Sequence, residues 1–287
     1  MENIKIDFHI HTSISDGTDT PEELLKKLLK EKINSFSVTD HDSVKSAKVF
    51  KEIFNENNFD NKFKYITGVE FACRDSNGKY HILGYNYNPD SGMINELCDK
   101  AHEYREYKVK KRIELLEEEY NIVFPEEEID NLMKLDNPGK PHIGNMMVKY
   151  GYAKTRDEAI NDYINKLSYR EKYIGPVEVI EAVLKADGIP ILAHPSFGSG
   201  RECITGKEMD DRIKHLLEFG LKGVEAFYSG FDKKLRDENL YFADKYNLFV
   251  TAGSDYHGNN KSVKLGDTGC DYKNLNKGLK NFLDTLR

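Results

Sequence analysis

What the sequence has little of narrows the field first. Its 287 residues include four cysteines, Cys73, Cys98, Cys203 and Cys270, which are scattered and form no C-x-x-C pair. Neither a disulfide framework nor a thiolate zinc site is therefore expected. No apolar run approaches the ~20 residues of a membrane span, so no membrane partner is expected. The N-terminus leads directly into a strand-like run, without the charged and then apolar regions of a secretory signal, and a cytoplasmic location is the default expectation. Basic residues are outnumbered, 42 Lys and Arg against 49 Asp and Glu, for a net charge of −7. An acidic surface disfavours duplex DNA, whose broad binding needs many phosphate contacts from Lys and Arg. It leaves room for a small phosphate-bearing substrate held by a few local charges and metals. Internal repeats and low-complexity linkers are missing too.

What is present reads as an α/β protein. β-branched and aromatic enrichment picks out seven strand-like runs, at residues 3–11, 35–41, 64–73, 80–88, 189–195, 223–229 and 249–257. Helical patterns lie between most of them. Thr20-Pro21-Glu22-Glu23 opens the first helix with an N-cap, a proline at the first position and acids at the positive end of the dipole. Further helices are expected at 43–55, 176–186, 209–219, 232–246 and 275–286. The alternation implies a mainly parallel sheet, barrel-like or doubly wound. The exception is the link between the third and fourth runs, where Asn77-Gly78 signals a hairpin. A two-residue turn there would put Glu70 and His81 on one face but not opposite each other. They could share a site only with a different turn or register. From residue 89 to 173 no strand appears, only helical runs at 94–120, 125–134, 143–150 and 156–167. This stretch reads as a helical insertion, the substrate cap, in a domain built from 1–88 and 174–287.

The histidines carry the functional signal. The first run contains His9-Ile10-His11, and residues i and i+2 of a strand share a face. Alone, that pair fits a metal site and a satisfied polar core equally well. Of nine histidines, however, six (His9, His11, His41, His81, His194 and His257) fall in or at the ends of strand-like runs, and three (His102, His142 and His215) do not. Asp16, Asp40, Glu70 and Asp255 accompany the six. In parallel α/β folds, functional groups gather at the C-terminal ends of strands. A donor set of imidazoles and carboxylates without thiolate suits several Zn, Mn or Fe ions rather than a closed structural zinc. Asp7 shares the face of His9 and His11, and either orients a ligand or bonds within the barrel core; Asp40 is similar. Glu225 and Tyr228 have no partner motif, and packing is the expectation for Tyr228.

These motifs resemble the polymerase-and-histidinol-phosphatase (PHP) family. The matching stretches are Phe8-His9-Ile10-His11-Thr12 with Asp16-Gly17, Thr39-Asp40-His41-Asp42, Gly68-Val69-Glu70, His81-Ile82-Leu83-Gly84-Tyr85, Ala193-His194-Pro195 and Gly253-Ser254-Asp255-Tyr256-His257. The resemblance implies a distorted (β/α)7 barrel, similar to a TIM barrel, with three divalent metal ions that hydrolyse phosphoesters through a metal-bridging hydroxide. Carried over position by position, the metal ligands are His9, His11, Asp16, His41, Glu70, His81, His194, Asp255 and His257. His194 and His257 are also candidate proton donors, a role with which metal ligation competes.

Gly139-Lys140-Pro141-His142 resembles an Arg-Pro-His stretch of PHP members with the same kind of insertion, which act on nucleoside 3′,5′-bisphosphates and, in some cases, short RNA. Lys140 replaces the arginine and lacks its bidentate fork. Arg105, Lys108 and Arg112 continue the helical stripe of Ile94, Leu97 and Ala101, so they face protein rather than open water. Arg105, Arg112, Lys140 and His142 are therefore the candidate substrate-binding residues. The leading expectation is a phosphoesterase acting on small nucleotides. Its rivals are a histidinol-phosphate phosphatase, a metallohydrolase of amidohydrolase type, and a non-catalytic metal-binding module.

Overall fold

The computed structural model describes residues 5–57, 63–198 and 202–286. Seven strands follow one another around a single sheet in sequence order: β1 Ile6–Asp7, β2 Ser35–Val38, β3 Lys64–Arg74, β4 Lys79–Tyr85, β5 Ile189–Leu192, β6 Gly223–Tyr228 and β7 Phe249–Gly253. Backbone bonds join the first and last strands: Phe8 N–H donates to Ala252 O at 2.9 Å, and His11 N–H to Tyr256 O at 2.9 Å. The sheet thus curls into a barrel. β4 runs antiparallel to both β3 and β5, while all other neighbours are parallel. That reversal is the distortion from a regular (β/α) barrel, and it arises because a hairpin, not a helical crossover, joins β3 to β4.

Helices cover the outside. They are α1 Pro21–Glu31, α2 Lys45–Asn57, α7 Pro176–Lys185, α8 Gly206–Leu217, α9 Lys233–Lys245 and α10 Lys277–Thr285. α1 starts as its sequence dictates: Thr20 Oγ1 accepts from Glu23 N–H, and Thr20 N–H donates to the Glu23 carboxylate at 2.9 Å. Leu24, Leu25 and Leu28 then pack with Phe36, Phe50 and Phe63 in one apolar cluster.

All the strands but β3 are shorter than their sequence runs, and the shortfall falls mainly at their C-terminal ends. β2, β5 and β7 stop before His41, His194 and Asp255, and β1 stops before His9. Residues 3 and 4 of the first run lie outside the described residues. The backbone turns where the ligand candidates begin: Asp42, His194 and Asp255 have φ of 51°, 27° and 58°. Left-handed backbone cannot continue a pleated strand, and it is costly for residues other than glycine.

The chain divides into two compact units, Met1–Cys98 with Ile174–Arg287, and Asp99–Tyr173. The second is helical. It takes in most of α3 (Gly92–Tyr120), then α4 (Glu126–Met133), α5 (Lys140–Lys149) and α6 (Arg156–Glu158). Val109, Ile113, Leu116, Phe124, Ile143 and Met147 are part of its core. The expected single helix at 156–167 breaks after α6 into a π turn at Ala159–Tyr163 and a 3-10 turn at Ile164–Lys166. Ile164 N–H bonds Ala159 O, and this wider turn sends both side chains into the same core. α5 begins at residue 140, three positions earlier than expected, which puts Lys140 and His142 in its first turn.

Candidate metal centre

Glu70 is the hub of the site, buried in β3. Its approach depends on Gly68, where a Cβ would run into Ser37 Oγ and Val38 O of β2. His81 reaches it from β4. The hairpin loop spans four residues rather than two, because the Asp75 carboxylate accepts from Asn77 N–H and Gly78 N–H. His81 therefore pairs with Ala72 and stands diagonal to Glu70 on the same face, with its Nδ1 2.8 Å from Glu70 Oε1. This register settles the question the sequence left open.

The other imidazoles arrive from loops. His194 Nε2 lies 3.1 Å from Glu70 Oε1. Glu70 Oε2 lies 3.2 Å from His9 Nε2, 3.1 Å from His11 Nε2 and 3.2 Å from His41 Nδ1. Asp255 Oδ1 is 3.3 Å from His11 Nε2 and 3.4 Å from His257 Nδ1. Asp16 Oδ1 is 3.2 Å from His257 Nε2 and 3.9 Å from His11 Nδ1. All nine positions singled out in the sequence thus meet in one cluster. These pairs do not lie within strands, as the i, i+2 spacing had suggested: His9 and His11 follow β1, and Asp255 and His257 follow β7.

Charge and burial act in opposition here. Burial disfavours a charged His11, but hydrogen bonds to Asp255 and Glu70, and the charges of Glu70 and Asp16, push it up to about 9. His9 is likewise raised: burial opposes its charge, and Glu225, Glu70 and Asp255 outweigh burial. Burial would raise Glu70, yet His41, His9 and His81 hold it well below the usual carboxylate range. Asp255 is also held low, with Lys261 and His257 overcoming its burial.

The donor set fits divalent metal. Among the described residues, three groupings present ligand atoms within 4.8 Å of one another: His11, Asp16, His41 and His257; His9, His11 and Glu70; His41, Glu70 and His81. His9 Nε2 and His11 Nε2 face each other at 3.1 Å. His194 Nδ1 is buried without a hydrogen-bond partner. Nitrogens and carboxylate oxygens gathered in this way match Zn, Mn or Fe chemistry.

Residues around the cluster hold it in place. Asp40 accepts from Thr12 N–H, Thr12 Oγ1, Ser15 Oγ and Ser46 Oγ, and so orders the loop that carries Asp16. Asp7 accepts from Ser254 N–H and Oγ, Gly266 N–H and His9 N–H. It thus pins backbone within the barrel rather than an imidazole, and burial pushes its carboxyl up to about 6. Tyr228 does more than pack. Its hydroxyl donates to Asp255 Oδ2 at 2.9 Å, and Lys261 Nζ lies 2.5 Å from the same oxygen. Glu225 places its carboxylate 3.0 Å from His9 Nδ1. The signal for Glu225 is an acid inside a strand whose neighbours are apolar and buried, since a buried charge needs a partner.

The proposed substrate residues lie in the second unit, each with local contacts. Arg112 is nearly buried, and its Nη2 lies 2.7 Å from Glu171 Oε1. Lys140 Nζ is 2.7 Å from Asn165 Oδ1. Arg105 lies beside Gly139, where α5 begins, and His142 occupies the first turn of α5. Lys108 stacks its ammonium over Tyr173, 4.2 Å from the ring centroid. Among the described residues, no helix is long and apolar enough to cross a membrane.

Comparison with known proteins agrees with this geometry. A PHP domain profile matches residues 7–175, more than half of the chain. The 5'-3' exoribonuclease Rnm of Escherichia coli is 23% identical over 268 residues, 91% of this chain and 87% of that one. The phosphoribosyl 1,2-cyclic phosphate 1,2-diphosphodiesterase of Eggerthella lenta is 24% identical, covering 88% of this chain and 94% of that one. Among solved structures, a metal-dependent phosphoesterase from Bifidobacterium adolescentis superposes with a TM-score of 0.82 at 25% identity, over 98% of this chain and 96% of that one.

Proposed function

This chain belongs to the PHP family, whose chemistry is metal-dependent phosphoester hydrolysis, and from that premise we propose that it removes phosphate from small nucleotides. The substrates in this reading are nucleoside 3′,5′-bisphosphates and short RNA. One observation carries it: six imidazoles and three carboxylates, from separate strands and loops, meet around Glu70. We assign His9, His11, Asp16, His41, Glu70, His81, His194, Asp255 and His257 to three divalent ions of Mn, Fe or Zn. Such ions would make hydroxide available near neutral pH and neutralise charge on the phosphoryl oxygens.

The chain's own residues do the rest. Glu70 holds ring nitrogens of five histidines within 3.2 Å, so it fixes the spacing of the donors. Lys261, bonded to Asp255, adds a cation that favours an anionic substrate. His194 and His257 act as ligands first, because a ring nitrogen committed to a metal has no proton to lend. Arg105, Arg112, Lys140 and His142 select the substrate; Arg112 would have to exchange Glu171 for phosphate. The relatives' exoribonuclease and cyclic-phosphate diesterase activities support phosphate esters of ribose as the substrate class.

The test is phosphate release from nucleoside bisphosphates, mononucleotides, histidinol phosphate and p-nitrophenyl phosphate, and mononucleotide release from short RNA, with amide substrates as controls. Bisphosphates and short RNA are expected to turn over fastest. Histidinol phosphate as the preferred substrate, or amide turnover without phosphate release, would contradict the reading.

A further inference from the structure

We propose that Glu225 is a positioning residue of the metal centre: it fixes which ring nitrogen His9 presents to the cluster and anchors the backbone of His194. The inference rests on reading the cluster as a metal centre. Glu225 lies in β6 and is fully buried. Its Oε1 and Oε2 are 3.0 and 3.2 Å from His9 Nδ1, and Oε2 also accepts the His194 N–H at 2.9 Å. An ionised carboxylate can only accept hydrogen bonds. In the neutral ring that metal ligation requires, the His9 hydrogen is therefore held at Nδ1, and Nε2 faces His11, Glu70 and Asp255. A carboxylate on the far nitrogen is the usual means by which a metal-binding imidazole is oriented.

Two further features support this role. His194 adopts the left-handed φ of 27°, and the bond from its N–H to Glu225 helps to hold that costly turn. At Gly253 a Cβ would run into both His9 Cβ and Glu225 Oε1, so β7 leaves room for this contact. One side chain thus sets two ligand candidates that are 185 positions apart in the chain, His9 and His194.

Glu225→Gln keeps the shape but replaces two acceptors by one acceptor and one donor group. If its oxygen bonds the His194 N–H, its NH2 meets His9 Nδ1, and the ring hydrogen is moved to the nitrogen that faces the cluster. Chelator competition should show Zn and Co(II) affinity lowered by about 10–100-fold. The visible spectrum of the Co(II) form should shift, while the melting temperature of metal-free protein changes little. Glu225→Asp keeps the charge but not the reach, and should fall between the two. Unchanged affinity and spectrum in Glu225→Gln would overturn the proposal. If that variant does not fold, nitrogen NMR of the zinc-loaded wild type decides: a hydrogen at His9 Nδ1 is expected, and one at Nε2 overturns it. Wild-type protein that binds neither Zn nor Co(II) would instead defeat the metal-centre reading itself.

Discussion

Both units carry local ion pairs, such as Lys207 with Asp211 and Lys233 with Asp237 in the first, but the first unit also gathers charged side chains at one point. In the first, ring nitrogens of five histidines converge on one buried carboxylate, and Asp16, Asp255 and His257 complete the cluster. In the second, charges pair off locally: Arg112 with Glu171, Lys111 with Glu114, Lys149 with Glu128. Convergence on one point calls for a scaffold that brings distant segments together, and it gives chemistry that fails as a whole when one member is lost. Local pairs arise from neighbouring helix positions or single contacts, and each can be lost with limited consequence. Variants in the two units should therefore differ both in size and in kind of effect.

The largest effect is expected for His9→Ala. It removes a nitrogen shared with Glu70, His11 and Asp255, and turnover should fall by more than the roughly 10–100-fold typical of an outer partner. Metal content should fall with it; retained activity would sink the site assignment. Next comes a pH effect. His11 is pushed up to about 9, so at pH 7 the metal-free protein carries a proton on it. Ligation needs the neutral ring, so metal binding should release protons, and affinity should rise with pH until about 9. Calorimetry in buffers of different ionisation enthalpy measures the release; its absence would argue against His11 as a ligand.

Effects in the second unit should be smaller. Arg112→Ala breaks a nearly buried ion pair and should cost about 1–3 kcal/mol in unfolding free energy. If Arg112 also grips substrate, compounds with two phosphates should lose more turnover than those with one; equal losses would leave it a purely structural residue. Smallest of all is Lys111→Ala. Its pair with Glu114 is solvent-exposed, and no measurable change in activity or melting temperature is expected. A clear loss there would blur the contrast between the units.

Much of the first unit was legible because its signals are short-range. The capping box of α1 lies within four residues, and the strand runs and histidine motifs are contiguous. The ends of the strands were less so. Nothing in the motifs Ala193-His194 or Ser254-Asp255 announces a left-handed residue, so the runs expected to end at 195 and 257 overshoot β5 and β7, which end at Leu192 and Gly253. The register of β3 and β4 turned on the Asp75 side chain capping its own loop, which displaced the Asn77-Gly78 turn that the sequence suggested. The partners of Glu225, Tyr228 and Lys261 were out of reach for another reason. Glu225 meets His9 across 216 positions, and Tyr228 meets Asp255 across 27, so only the closed barrel brings them together.

The central claim is that the cluster around Glu70 is a multinuclear metal centre. It is tested most directly by counting metal: wild-type protein reconstituted with Mn or Zn, freed of excess ion and measured for bound metal per chain, beside His9→Ala. About three ions are expected in the wild type, one for each grouping of donors, and fewer in the variant. One ion or none in the wild type, or the same count in both proteins, would contradict it.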